Sequence, residues 1–173
     1  MTRFPVLGVD IGGVLSCKRF FDSETSLFGS RYLDTPPERD SFEALERLNL
    51  QFEGRVHLVS KARGGPKGLL QKRSREWLRH HGVFSYLDEN EQLWFVEDPG
   101  EKDFICRELS ITHFVDDRLD RVLETLTTVE HRIWFVGCSG ADGRTPPGIK
   151  KCSTWREVEW HIARTLALGH GPS

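Results

Sequence analysis

The sequence predicts a single α/β domain in which helices cover both faces of a parallel β-sheet, forming a three-layer sandwich of Rossmann-like type. Short apolar runs typical of buried parallel strands recur along the chain, and segments with helical spacing separate them. The length of 173 residues suffices for one substantial hydrophobic core but leaves little material for a second. We therefore expect one domain over residues 1–168.

Five segments are predicted to be strands because each is short, apolar and rich in β-branched or aromatic residues. They are residues 5–10, 55–60, 93–96, 111–117 and 133–136. Helices are expected after Pro36-Pro37, after the Gly-rich stretch at residues 62–66 with an end near Gly82, after the turn at 97–100, after residue 117, and from Thr154 onward. Thr154 and Glu157 have the spacing of a capping box, which marks the start of the last helix.

Three segments are predicted to lie outside the regular elements. Residues 16–35 mix aromatic, basic and acidic side chains without a sustained period, which predicts a short flap over the strand ends. Residues 137–148 are rich in Gly and Pro and predict a loop. Residues 169–173 are expected to form a disordered tail.

The composition gives no support to two functional classes, nucleic-acid-binding proteins and membrane proteins. A net charge of −2 gives no bulk reason to expect a nucleic-acid or membrane-surface protein. No apolar run approaches the roughly 18 residues that span a bilayer, and the first residues lack the apolar stretch of a signal peptide. We therefore expect a cytoplasmic protein with no membrane partner.

The four cysteines are widely spaced and form no Cys-x-x-Cys pair. This spacing argues against a zinc ribbon and gives no support to a disulfide framework. Cys106 lies inside an apolar helical pattern and is expected to be a small buried hydrophobe.

Polar side chains stand where three of the predicted strands end. They are Asp10, Ser60, Asp116 and Asp117. In an open parallel sheet, ligands bind beyond the carboxyl ends of the strands. Because an unpaired charge at a buried strand end is costly, Asp10 is expected to meet a metal, a cation or backbone N–H groups, unless it merely forms a turn. Together these oxygens predict a site for Mg²⁺ and a phosphate rather than for zinc.

The order of these residues resembles the motifs of the haloacid dehalogenase superfamily of phosphohydrolases, over nearly the whole chain. Four segments carry the resemblance: Val9-Asp10-Ile11-Gly12-Gly13-Val14, His57-Leu58-Val59-Ser60, Lys102, and Phe114-Val115-Asp116-Asp117. The resemblance implies a phosphatase in which Asp10 takes the phosphoryl group as an aspartyl-phosphate. Ser60 would then bind a phosphoryl oxygen, and Lys102 would stabilise the nucleophile and the transferring charge.

The resemblance also implies a Mg²⁺ site. Asp10, Asp117 and the backbone carbonyl of Gly12 would be the protein's ligands. Asp116 would orient Lys102 or a metal-bound water.

One position departs from the family pattern. Gly12 stands where family phosphatases carry a second Asp as general acid and base. Metal binding through a backbone carbonyl survives this change, but proton transfer does not, and a positioned acid is worth roughly 10²- to 10⁴-fold. Alkyl phosphates are therefore expected to react slowly unless Ser16, Lys18, Asp22 or Glu24 on the flap replaces the missing group.

The expected substrate is phosphorylated. Gly13, Lys61 and Arg63 are candidates to bind it. The short flap, in place of a large cap domain, favours a large or macromolecular substrate, or closure of the site by a partner subunit. The basic stretch at residues 61–81 predicts a solvated helix face, and it leaves a nucleotide or a nucleic acid open as an anionic partner.

Two other functional classes remain. A non-catalytic protein on the same fold would bind a metal, a phosphorylated ligand or a protein partner, and Gly12 favours it. Asp10-Ile11-Gly12-Gly13 also resembles the phosphate loop of actin-like sugar kinases, but those enzymes need two larger domains than 173 residues provide.

Overall fold

The computed structural model describes residues 4–18, 26–63 and 65–169, and these form the predicted α/β sandwich. The strands are β1 Leu7–Val9, β2 Val56–Lys61, β3 Leu93–Val96, β4 His113–Asp116, β5 His131–Phe135 and β6 Ile149–Cys152. The α-helices are α1 Ser41–Gln51, α2 Gly65–His80, α3 Glu101–Glu108 and α4 Trp155–Gly169.

The sheet is parallel throughout, in the order β3-β2-β1-β4-β5-β6. Strands β2 and β3 follow one another outward on one side of β1, and strands β4, β5 and β6 follow one another outward on its other side. The strand order therefore reverses between β1 and β4, and a doubly wound sheet opens a crevice at such a point. Leu7 lies opposite Val56 on one side and His113 on the other, so β1 is central and fully enclosed.

Two apolar clusters cover the two faces of the sheet. Successive strand residues point to opposite faces, so Val115 belongs to one cluster and its neighbour Phe114 to the other. Trp155 of α4 packs in the first cluster and Cys106 of α3 in the second. The burial of Cys106 confirms its predicted place in the core.

Two elements differ from the sequence prediction. The strand β6 was missed, because Ile-Lys-Lys-Cys is short and carries charges, as edge strands commonly do. The helix expected after residue 117 is a single π turn, Leu119–Leu123. Thr125 then donates its hydroxyl to the Val122 carbonyl at 2.7 Å, a local bond that competes with continuation of the helix.

The flap and the tail are described in part. Residues 26–35 contain bends and one 3₁₀ turn, Tyr32–Asp34, as expected of an irregular segment, and residues 19–25 lie outside the described part. The helix α4 includes Gly169, and residues 170–173 also lie outside it. None of the described helices is long and apolar enough to cross a membrane.

A disulfide joins Cys17 to Cys138, although the cysteine spacing gave no support to a disulfide framework. Their separation of 121 residues hides the pairing in the sequence. The fold brings the loop after β1 to the turn after β5, and the two Cα atoms lie 6.0 Å apart.

Candidate active site

Three carboxylates meet at the carboxyl ends of β1 and β4. Asp10 follows β1 directly, Asp116 is the last residue of β4, and Asp117 comes next. The register places Val9 beside Val115, which brings Asp10 level with Asp116. Carboxylate oxygens of all three residues lie within 4.8 Å of one another. The sheet therefore holds three acids at the crevice where its strand order reverses.

The side chain of Lys102, on α3, enters this cluster and is almost fully buried. Its Nζ atom lies 2.6 Å from Asp116 Oδ2 and 3.1 Å from Asp10 Oδ1. Burial alone would lower the pKa of Lys102, but the charges of Asp10 and Asp116 outweigh burial and raise that pKa above its ordinary value. The site thus contains a buried ammonium group next to the predicted nucleophile.

Both oxygens of Asp116 are engaged by the protein. Oδ2 accepts a hydrogen bond from Lys102, and Oδ1 accepts one from the backbone N–H of Arg118 at 2.8 Å. Burial raises the pKa of Asp116, and Lys102 opposes that shift. These contacts agree with the orienting role expected for Asp116, which stays a prediction.

Two carboxylate oxygens of this site are buried without a hydrogen bond from any described residue. They are Asp10 Oδ1, which has only its 3.1 Å ionic contact with Lys102 Nζ among the described residues, and Asp117 Oδ1. A buried acceptor without a donor costs free energy, so native structures rarely keep one without a use. Carboxylate oxygens are the ligands that Mg²⁺ prefers, so these two atoms fit such an ion.

A glycine turn shapes the floor of the site. Gly13 has a φ of +80°, and a Cβ atom there would lie 2.5 Å from Asp117 Oδ2, so only glycine leaves room for that carboxylate. Lys18 crosses the same turn and places its Nζ atom 2.5 Å from Asp117 Oδ2. Among the described residues, a Cβ atom on Gly12 would come within 4 Å of Lys18 Cε alone, at 3.8 Å, so there is room for a Cβ atom at this position.

Solved structures with the same architecture match this chain over nearly its whole length. D,D-heptose 1,7-bisphosphate phosphatase from Burkholderia thailandensis superposes with a TM-score of 0.58 at 15% identity, covering 92% of this chain and 98% of the other. A haloacid dehalogenase-like family hydrolase from Xanthomonas campestris gives 0.57 at 10% identity, covering 98% and 99%. The chain therefore has the haloacid dehalogenase fold. Neither a protein-family model nor a curated protein sequence matches it.

The candidate phosphate-binding residue of this haloacid dehalogenase fold, Ser60, is the penultimate residue of β2 and is 8% exposed. Because β2 runs parallel beside β1, Ser60 and Asp10 face the same edge of the sheet. Lys61 and Arg63 follow and are exposed to solvent. The fold thus brings the four motif residues to one edge, while the roles of Lys61 and Arg63 stay predictions.

Of the four side chains expected to replace the missing acid, two can be located. Ser16 is buried in the turn, where its hydroxyl donates to the Ile11 carbonyl at 3.4 Å. Lys18 pairs with Asp117, and in the sequence only its closeness to Asp10 along the chain could have indicated a place at this site. Asp22 and Glu24 lie outside the described residues.

The basic stretch at residues 61–81 is largely used by the fold. Arg73 donates to the carbonyl of Phe28 at 2.6 Å, and Arg79 pairs with Glu89 at 2.7 Å. These contacts tie α2 to neighbouring loops, which favours the structural interpretation of this helix over an anion-binding surface.

Proposed function

We propose that this protein is a Mg²⁺-dependent phosphohydrolase that acts through an aspartyl-phosphate on Asp10. The observation that carries the proposal is the buried Lys102 ammonium in contact with both Asp10 and Asp116, beside the unsatisfied Oδ1 atom of Asp117. The phosphatase that shares the fold supports the same reaction class, although the low identity makes that support one of architecture alone.

The charge of the site leaves a place for a divalent cation. Three carboxylates face the two ammonium groups of Lys102 and Lys18, which leaves one net negative charge. Asp10, Asp117 and the Gly12 carbonyl would hold the ion, with Asp116 fixed by its own hydrogen bonds. When bound, Mg²⁺ supplies positive charge that neutralises the phosphoryl oxygens.

The side chains of the chain itself account for the covalent chemistry. A carboxylate oxygen of Asp10 attacks phosphorus, the bond from phosphorus to the ester oxygen breaks, and the alcohol leaves after gaining a proton from solvent. Water then attacks the acyl phosphate at phosphorus, which releases inorganic phosphate and regenerates the Asp10 carboxylate. Lys102 orients Asp10 through their contact at 3.1 Å, and Ser60 donates to a phosphoryl oxygen.

The glycine at position 12 sets the preferred leaving group. With no carboxylic acid there, protonation of a departing alkoxide loses the roughly 10²- to 10⁴-fold help of a positioned acid. Substrates with acidic leaving groups need no such help. We therefore propose phosphorylated substrates whose leaving groups depart readily, with Lys61 and Arg63 placed to contact a nucleotide or a macromolecular substrate.

A second candidate is a non-catalytic protein that binds a metal, a phosphorylated ligand or a protein partner. Two observations favour it: Gly12 supplies no acid, and Lys18 already neutralises one oxygen of Asp117. This candidate keeps the metal site and loses turnover.

The two functions are separated by the Mg²⁺-dependent hydrolysis of an activated aryl phosphate by the wild type and by Asp10→Asn. Asp120→Asn is a matched control, because it removes the same charge from an exposed position. We expect turnover in the wild type and in Asp120→Asn and none in Asp10→Asn. Turnover that persists in Asp10→Asn would contradict the nucleophile, and Mg²⁺ binding without turnover in the wild type would favour the second candidate.

A further inference from the structure

A second cluster of metal-ligating side chains lies beside the glycine turn and has no part in the proposed hydrolysis. It consists of Cys17, Glu38 and Cys138, whose sulfur and carboxylate ligand atoms all lie within 4.8 Å of one another. In the structure the two cysteines form the disulfide. Sulfur ligands distinguish this cluster from the all-oxygen site at Asp10.

Backbone hydrogen bonds hold the three ligands in place. Cys17 donates its N–H to the Pro36 carbonyl at 2.8 Å, and Glu38 donates its N–H to the Leu15 carbonyl at 2.7 Å. The Glu38 side chain then reaches the third segment, where Oε1 accepts the N–H of Cys138 at 2.9 Å. The positions of the ligands are therefore fixed by the backbone as well as by the disulfide.

The carboxylate of Glu38 is buried beside Gly137, where the absence of a Cβ atom leaves room for it. Glu38 is 7% exposed, and a Cβ atom on Gly137 would lie 2.5 Å from its Oε1 atom, at a φ of +40°. Burial raises the pKa of Glu38, and the only described group that opposes this shift is the backbone N–H of Cys138. A buried carboxylate that the described residues supply with a single neutral donor and no cation keeps acceptor capacity for a metal ion.

We propose that, after reduction of the disulfide, Cys17, Cys138 and Glu38 bind a Zn²⁺ ion. Zinc takes thiolate and carboxylate ligands in tetrahedral sites, and three protein ligands leave the fourth position to water. At a Zn–S distance of about 2.3 Å, two tetrahedral sulfur ligands lie about 3.8 Å apart. Cα atoms 6.0 Å apart allow the sulfurs to reach that separation by side-chain rotation.

The oxidised and metal-bound states exclude each other. A dithiol reductant gives two electrons and two protons to the Cys17–Cys138 bond, which becomes two thiols while the reductant becomes a disulfide. Binding of Zn²⁺ then releases the two thiol protons to solvent. The loop after β1 stays linked to the turn after β5 in both states. The disulfide links them in the oxidised state, and the Zn²⁺ ion links them in the metal-bound state.

The test uses Co²⁺ as a spectroscopic probe for the zinc site. Thiolate-bound Co²⁺ shows sulfur-to-metal charge-transfer absorption, which Co²⁺ on the oxygen ligands of the Asp10 site does not. We expect one equivalent of this absorption in the reduced wild type, its displacement by Zn²⁺, and its loss in Cys17→Ser and Cys138→Ser. Glu38→Gln is expected to weaken Co²⁺ binding at least 10-fold.

Two controls separate loss of ligands from loss of fold. The oxidised wild type needs no substitution and should show no charge-transfer absorption. Cys106→Ala removes a buried cysteine outside the cluster, and this variant should retain the charge-transfer absorption after reduction. Absence of the absorption in the reduced wild type, or its persistence in Cys17→Ser, would overturn the site. An unchanged affinity in Glu38→Gln would overturn the ligand role of Glu38.

Discussion

Replacing Lys102 by Met should destabilise the metal-free protein strongly. The substitution keeps an unbranched side chain of similar length but removes the ammonium group that lies 2.6 Å from Asp116 and 3.1 Å from Asp10. Both carboxylates are buried, and breaking such a pair from one side costs about 3–5 kcal/mol because the remaining charge stays unpaired. We expect a loss of that size in the free energy of unfolding.

The assay is urea unfolding at pH 7 with metal removed, for the wild type, Lys102→Met, Asp116→Asn and the double variant. The coupling energy should reach up to about 3 kcal/mol, since the second substitution removes a charge that the first left unpaired. Lys18→Met is the matched control. Because Lys18 and Asp117 form a partly exposed pair, its loss should cost only about 0.2–1 kcal/mol.

Two results would refute this reasoning about the buried cation. One is a cost for Lys102→Met no larger than that for Lys18→Met. The other is strict additivity of Lys102→Met and Asp116→Asn, which would mean that the two side chains do not interact in the folded protein.

Three further predictions concern the metal, the leaving group and pH. Asp117→Asn should stabilise the metal-free protein, because burial and the neighbouring Asp10 carboxylate both disfavour the charged form of Asp117. In the wild type, Mg²⁺ at ten times its Kd should raise the free energy of unfolding by about 1.4 kcal/mol. Thermal or urea unfolding of Asp117→Asn should show no such increase. Gly12→Asp should raise kcat for an alkyl phosphate by up to roughly 10²- to 10⁴-fold, and for an aryl phosphate far less. Burial lowers the pKa of His113 to about 3, so stability should fall as pH drops below about 6.5, by about 1.4 kcal/mol per pH unit from this residue. Unfolding free energies between pH 7 and pH 5 should show a shallower slope in His113→Gln.

Each of these predictions has a result that contradicts it. Equal gains on both esters in Gly12→Asp would show that leaving-group protonation is not what the chain lacks. Undiminished Mg²⁺ stabilisation in Asp117→Asn would remove that residue from the ligand set. An unaltered pH slope in His113→Gln would mean that the imidazole does not stay neutral in its contacts with Thr112 and Thr165.

The site was largely predictable because parallel strands fix where their last residues go. Once residues 5–10 and 111–117 were assigned as strands of one parallel sheet, Asp10 and Asp116 had to share its carboxyl edge. The contact of Lys102 with both followed from the family resemblance, and the structure brings these side chains together. Their catalytic roles stay predictions.

The features that the sequence did not predict lie in loops and at the edge of the sheet. The strand β6 carries two lysines in four residues, so its apolar pattern is weak. The pairing of Cys17 with Cys138 and the contact of Lys18 with Asp117 both depend on how the loop after β1 folds back. The course of this loop is set by its backbone turns and by the residues against which it packs, so no local sequence pattern predicts it.

The most direct test of the account is to look for the aspartyl-phosphate itself. The protein is mixed with Mg²⁺ and an activated aryl phosphate, quenched in acid during turnover, and its peptides are weighed. The account predicts the mass of one phosphoryl group on the peptide that contains Asp10, removed by hydroxylamine and absent from Asp10→Asn. Turnover with a phosphoryl group on another residue, or with none on the chain, would contradict it.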